Sequence, residues 1–177
     1  MPVPIVASSP NPQKAIEVLL YVVQHVPNMY NALKVLFFAD KLHLARYGRL
    51  IYGDSYCAMK HGPVPSLAYD MVKSSRGEST PLAPELARVV RECLTIARNH
   101  RITSRRDPDL SLLSPSDLEC LREAIGEYGA MPFNELRAIS HRDRAYQAAD
   151  ENDFISLEAI VRSLPEGDEL LEYLEIS

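Results

Sequence analysis

LKVLFFADKLHLARYGRLIYGDSYCAMKHGPVPSLAYD, residues 33–70, carries the chemistry that decides the fold. Its first half is apolar nearly all round a helix: Tyr30, just before it, and Leu33, Val35, Leu36, Phe37, Phe38, Leu42 and Leu44. A helix of that kind has no solvent face to offer, so Met29 to Tyr47 reads as the central helix of the molecule. Gly48 stands where a helix C-terminus adopts left-handed backbone. Beyond it, β-formers gather around Gly53-Asp54 and predict two short strands, Leu50 to Tyr52 and Tyr56 to Lys60. Pro63 and Pro65 are expected to end any strand. Ser66 to Ser74 then reads as a helix.

Working outward, Pro2, Pro4, Pro10 and Pro12 make the first dozen residues extended or loose. Asn11-Pro12 is a cap and first-turn pair for a helix reaching about Gln24, whose buried stripe is Ala15, Ile16, Leu19, Leu20 and Val23. Pro27-Asn28 separates it from the central helix. Downstream, Ser75 to Pro84 is a loop rich in Ser, Gly, Thr and Pro. CLTIAR and RITSRR flank Asn99-His100 as a hairpin within Cys93 to Arg106, although Leu86 to Arg98 also admits a single helix. Ser114-Pro115-Ser116-Asp117 opens a helix that runs to Tyr128 before Gly129, with Asp117 at its positive end. Met131 to Ser140 is a short helix, and Ser156 to Leu164 and Gly167 to Leu174 are weaker helical segments. The fold class is therefore mainly α (α+β): a single helical domain over residues 1–177 with one or two small antiparallel β-hairpins, its last segment, 151–177, helical and acidic.

A chain of 177 residues that is 46% hydrophobic and 24% charged has the composition of a folded globular domain. Glu17 and Lys34 interrupt its longest apolar runs well short of the ~18 residues that span a bilayer, so no membrane contact is expected. The N-terminus lacks a basic region followed by an apolar stretch of secretory length, and a cytoplasmic location is expected. Cys57, Cys93 and Cys120 are widely spaced without a CxxC pair, which predicts reduced, mostly buried thiols. A net charge of -5 and a pI near 5.5 favour protein partners over nucleic acid.

Candidate chemistry concentrates at a few positions. Asp40 and His43 lie three apart on the central helix and Tyr47 four further on, so the three share a face. A metal would need further ligands, His61 or Asp70, which no spacing forces together, and Asp40 and His43 read equally as polar groups at the junction of helix and loop, hydrogen-bonded to backbone. In Lys60-His61-Gly62-Pro63-Val64-Pro65, Gly62 permits unusual backbone angles while Pro63 and Pro65 fix φ, so His61 sits on a rigid turn. That turn serves equally to dock the next helix through Val64, Leu67 and Met71. Cys57 lies four residues from His61 without the signature of a cysteine hydrolase. Arg137, His141, Arg142 and Arg144, with Tyr146, form a basic and aromatic strip interrupted by Asp143 and Asp150, and Arg101, Arg105 and Arg106 form a second cluster. Solvated charge is the commoner role for both. No phosphate-binding glycine loop or GxSxG elbow is present.

FADKLHLARYG, GDSYCAMKHGPVPS and ELRAISH, in this order, resemble the Panacea domain, also called the SocA-like antitoxin domain, of bacteria and their phages. The resemblance covers about residues 12–150, and Tyr146 stands where the family most often carries tryptophan. It implies an antitoxin-like protein-binding module rather than an enzyme, one that neutralises a toxic partner protein by direct contact. The implied partners are a cognate toxin encoded by a neighbouring gene and, where the antitoxin acts as a proteolytic adaptor, a cellular protease. No cofactor and no metal are expected. The expected partner surface comprises the exposed parts of Asp40, His43, Tyr47, His61, Pro63, Tyr69 and His141. Two alternatives stay open: a DNA-binding regulator using the arginine clusters, and a small hydrolase using Asp40, His43 and His61.

Overall fold

The structure, a computed structural model, describes residues 9–176, so the proline-rich start, residues 1–8, lies outside it. Helix α1 spans Pro12–His25 and begins as the sequence predicts: Asn11 caps it, its side chain accepting from the Lys14 N–H at 3.2 Å, and Pro12 takes a first-turn place where no donor is missed. Helix α2, Met29–Tyr47, is capped by Asn28 through the Asn31 N–H and ends on Gly48 at φ 74°. Leu33, Val35, Leu36, Phe37, Phe38 and Leu44 of α2 are all buried, each contributing roughly 1.5–3 kcal/mol by leaving water. The expected central helix is thus the core element, and its most extensive packing is against α5, Pro115–Tyr128. There the Phe38 and Tyr128 rings stack with centroids 4.0 Å apart.

The β segment departs from expectation in an instructive way. Leu50 to Tyr52 is not a strand. Its backbone is committed elsewhere, the Ile51 N–H to Asp40 Oδ1 at 2.7 Å and the Tyr52 carbonyl to the Asn11 N–H at 2.9 Å. Strand β1, Tyr56–Met59, instead pairs antiparallel with β2, Gly62–Pro65, so the two prolines lie inside a strand after all. The register explains why. The Ser66 N–H donates to the Ser55 carbonyl at 2.8 Å, which makes Cys57 and Val64 the next hydrogen-bonded pair and leaves Pro63 and Pro65 at positions that owe β1 no donor. β2 is also an edge strand, in the order β2-β1-β5, where β5 is Phe154–Ile155.

Helix α3, Ser66–Ser75, follows directly. Next come α4, Pro84–Cys93, and an antiparallel pair of β3, Leu94–Ile96, with β4, Ile102–Ser104. Both readings of this region hold in part, because a helix occupies its first half and the hairpin its second. His100 takes φ 63° at the turn. The hairpin is tied to the α1–α2 link: the Ile102 N–H donates to the Pro27 carbonyl at 2.7 Å and the Met29 N–H to the His100 carbonyl at 3.0 Å.

A 3₁₀ turn at Leu110–Leu112 leads to α5, which opens with a capping box between Ser114 and Asp117. α6, Phe133–Arg142, and a single turn α7, Arg144–Gln147, precede β5, and α8, Leu157–Arg162, and α9, Gly167–Ile176, close the described chain. Leu171 of α9 joins the same continuous core as Ala15 of α1. Among the described residues no helix is long and apolar enough to cross a membrane. Cys57, Cys93 and Cys120 are unpaired, the last two buried.

Candidate functional site

The β1–β2 turn is held from outside by four side chains. Tyr146 donates to the carbonyl of Met59 at 2.7 Å, His141 Nε2 lies 2.9 Å from that of Lys60, Tyr30 donates to that of His61 at 2.7 Å and Lys34 to that of Pro63 at 2.9 Å. Donors from α2, α6 and α7 thus take up the outward carbonyls of one hairpin. His61 itself is exposed, and its Nδ1 accepts from Arg137 Nε at 3.0 Å. Gly62 explains the closeness of this grip. At φ 121° it adopts a conformation that side chains resist, and a Cβ there would stand 2.8 Å from Ser140 Cβ and 2.9 Å from Lys34 Cε.

Lys34 is 1% exposed and has no acidic partner among the described residues. Burial brings its pKa down to about 7, and beyond the Pro63 carbonyl its Nζ faces the Tyr30 ring, 4.6 Å from the centroid. In the sequence Lys34 stands only as a break in an apolar run. A lone lysine on an otherwise buried helix was the available signal that a polar acceptor must wait nearby.

Three residues expected on the partner surface prove to be interior, which corrects that part of the expectation. Asp40 is buried, its carboxylate accepting from the Ile51 N–H and from Tyr56 Oη at 2.5 Å, and burial raises its pKa to about 7. His43 is fully buried, Nδ1 lying 2.8 Å from the Arg49 carbonyl and Nε2 2.8 Å from Ser116 Oγ. With Nδ1–H donating to Arg49, Nε2 is left to accept from Ser116, in keeping with a pKa lowered by burial. Pro63 is buried in β2. Such groups organise the turn and helix ends and present no surface to a partner.

Asp117 joins the His43 group at the start of α5. Its Oδ2 takes Lys14 Nζ at 2.7 Å and the Ser114 N–H at 2.8 Å. Oδ1 has Arg49 at 3.1 Å and His43 at 3.4 Å within ion-pair range but no aligned hydrogen bond. Burial works against its charge, yet Lys14 and Ser114 hold its pKa below the usual value. Asp40, His43 and His61 therefore keep three separate sets of partners rather than converging on one reacting group. Among the described residues, no three His, Cys, Asp or Glu side chains group as metal ligands.

Of the remaining expected residues, His61 and His141 meet at the turn. Tyr47 is exposed at the far end of α2, hydrogen-bonded to Glu119, about 25 Å along the helix from Tyr30. Tyr69 is half-buried on α3 beneath the Lys73 ammonium group. The arginine clusters divide: Arg106 is spent on a two-pronged pair with Glu17 at 2.6 and 2.7 Å and Arg105 on Thr95 at 2.7 Å, whereas Arg137, Arg142 and Arg144 have no acidic partner among the described residues.

Phe133, which no sequence motif marks, completes the face. Its ring is 46% exposed, tilted on Tyr30 at 4.6 Å and edge-on to His61 at 5.5 Å. Beside it opens a groove of about 560 Å³ lined by α2, the β3–β4 turn and the α5–α6 link. Asn31 shapes that link, its side-chain amide lying 3.1, 3.2 and 2.9 Å from the carbonyls of Tyr128, Gly129 and Met131.

The family model of the SocA-like antitoxin, Panacea domain, matches residues 33–147, more than half of the chain, and takes in three of the four side-chain donors of the turn, Lys34, His141 and Tyr146. No curated protein matches, nor does any solved structure.

Proposed function

Because the chain belongs to the SocA-like antitoxin family defined by the Panacea domain, we propose that it neutralises a toxic partner protein by direct contact through the face built on the β1–β2 turn. The observation that carries this reading is the fixed turn. Side chains from α2, α6 and α7 receive the carbonyls of Met59, Lys60, His61 and Pro63, so the exposed Lys60, His61 and Phe133 are presented at low entropic cost to a partner. His141 supports the same face, its ring stacked on Tyr146 at 5.0 Å. Contact alone accounts for neutralisation in this reading, with no bond made or broken by the domain.

The test is co-expression. The product of the adjacent gene is expressed alone and together with the tagged chain, with growth and co-purification measured in parallel. Growth arrest by the neighbour, relieved by this chain with recovery of a complex, is the expected result. A neighbour that is neither toxic nor bound would sink the reading. Rescue without a complex would sink direct contact alone.

A further inference from the structure

We propose that the groove beside Phe133 and the cations beside it form one site, which takes a partner polypeptide segment carrying an apolar side chain next to a carboxylate. This inference rests on the partner-binding reading of the same face and adds the chemistry of what is bound. The two halves are continuous, because Phe133 lines the groove and also lies edge-on to His61. On the groove side Met29, Met131 and Phe133 supply apolar wall, and a cleft of about 560 Å³ falls within the ~300–1,000 Å³ range of ligand sites. On the other side stand Lys60, His61 and Arg137. Neither Lys60 nor Arg137 has an acidic partner among the described residues, and Arg137 lies directly against His61, its Nε donating to Nδ1 at 3.0 Å.

Charge complementarity identifies the occupant. The whole chain carries -5, yet Lys60 and Arg137 have no acidic partner here among the described residues, and an incoming carboxylate supplies one. Asn28 and Asn99, on the groove wall, each use the side-chain oxygen internally, on the N–H groups of Asn31 and Arg101, which leaves amide donors for peptide carbonyls. A nucleic-acid strand would need cations continued along a backbone track, whereas Arg105 and Arg106 are committed to Thr95 and Glu17.

The experiment is a selection on the full chain. The immobilised protein is panned against a random-peptide display library, and enriched peptides are remade with a fluorescent label and titrated by anisotropy. Expected is a family sharing an apolar or aromatic residue flanked by Asp or Glu, with binding weakened about tenfold or more by Phe133→Ala and by Lys60→Glu. Lys60→Glu changes only an exposed side chain, since His141 holds its carbonyl and not its amine, so it keeps the test valid should Phe133→Ala unfold. Peptides lacking carboxylates, affinities indifferent to both variants, no enriched family, or a single-stranded oligonucleotide that displaces the peptides would each overturn the proposal, the last in favour of nucleic acid. Because the selection needs no toxin, peptides found without toxin rescue would sink the antitoxin reading alone. Rescue that survives both variants would sink this site alone.

Discussion

Lys34 reaches from the buried face of α2 to the carbonyl of Pro63 at 2.9 Å, and its Cε passes within 2.9 Å of the place a Cβ would occupy on Gly62. The helix and the turn fit only because residue 62 has no side chain. Gly62→Ala adds unfavourable backbone at roughly 1–3 kcal/mol and a clash with Ser140 and Lys34 of similar size. Urea unfolding is expected to show a loss of at least about 2 kcal/mol. A loss under about 0.5 kcal/mol would mean that the turn yields readily, and the rigid platform would go with it.

Asp54 caps α3 from outside the helix. No side chain at the N-cap, Pro65, serves this end; instead Asp54 Oδ1 accepts from the N–H groups of Ser55 and Leu67 at 2.8 Å, and Oδ2 from Ala68 at 3.1 Å and Tyr52 Oη at 2.7 Å. Asp54→Ala leaves buried donors unmet and is expected to cost about 2–4 kcal/mol in chemical denaturation. Asp54→Asn keeps an acceptor oxygen and should cost clearly less. Equal losses from the two would contradict a capping role.

Helix boundaries were legible because they rest on local chemistry. Asn11-Pro12, Ser114-Pro115 and Gly48 each satisfy or relax a helix end with their own atoms, and the ends fall where those residues predict. Reduced thiols and the apolar centre of α2 were legible for the same reason. What escaped depends on distant partners. Pro63 and Pro65 argue against a strand until the register shows that neither owes β1 a donor. Asp40 and His43 do bond the backbone at the helix–loop junction, to Ile51 and Arg49, but their full burial is not legible until Tyr56 and Ser116 arrive from elsewhere in the chain to cover them. Phe133 gives no local sign of its role, since its place beside His61 is set by the packing of α6 on the turn.

Asp40 and Lys34 predict opposite pH slopes. Asp40 in the fold titrates at about 7, above its ordinary 3.8, so its favourable contribution is complete below about 4 and is lost as pH rises to 7. Lys34 titrates at about 7, below its ordinary 10.5, so its contribution is complete above 10.5 and is lost as pH falls to 7. Each slope is at most about 1.4 kcal/mol per pH unit. Relative to the parent, Asp40→Asn should gain stability from pH 4 to 7 and level off above, whereas Lys34→Met should gain from pH 10 down to 7. Denaturant midpoints across this range give both differences, and a flat difference for either variant would mean that its group titrates as it does in the unfolded chain.

Two exposed aromatic patches on this molecule are far enough apart to be told apart by mutation. Tyr47, 48% exposed and bonded to Glu119, belongs to the C-terminal end of α2 and to α5; Phe133 and His61 belong to its N-terminal end. About 25 Å of helix separates them, so a contact centred on one need not reach the other. If the turn face is the docking surface, Arg137→Glu reverses a cation beside His61 and should weaken capture of the toxic partner about tenfold or more, with a shallower salt dependence. Tyr47→Ala should leave affinity within about twofold, because rim contacts contribute little. Titration of the two variants against the purified partner, with thermal unfolding to confirm that both are folded, reads this directly. The reverse pattern, loss with Tyr47→Ala and indifference to Arg137→Glu, would move the docking surface to the far end of α2 and leave the clamped turn with a purely architectural role.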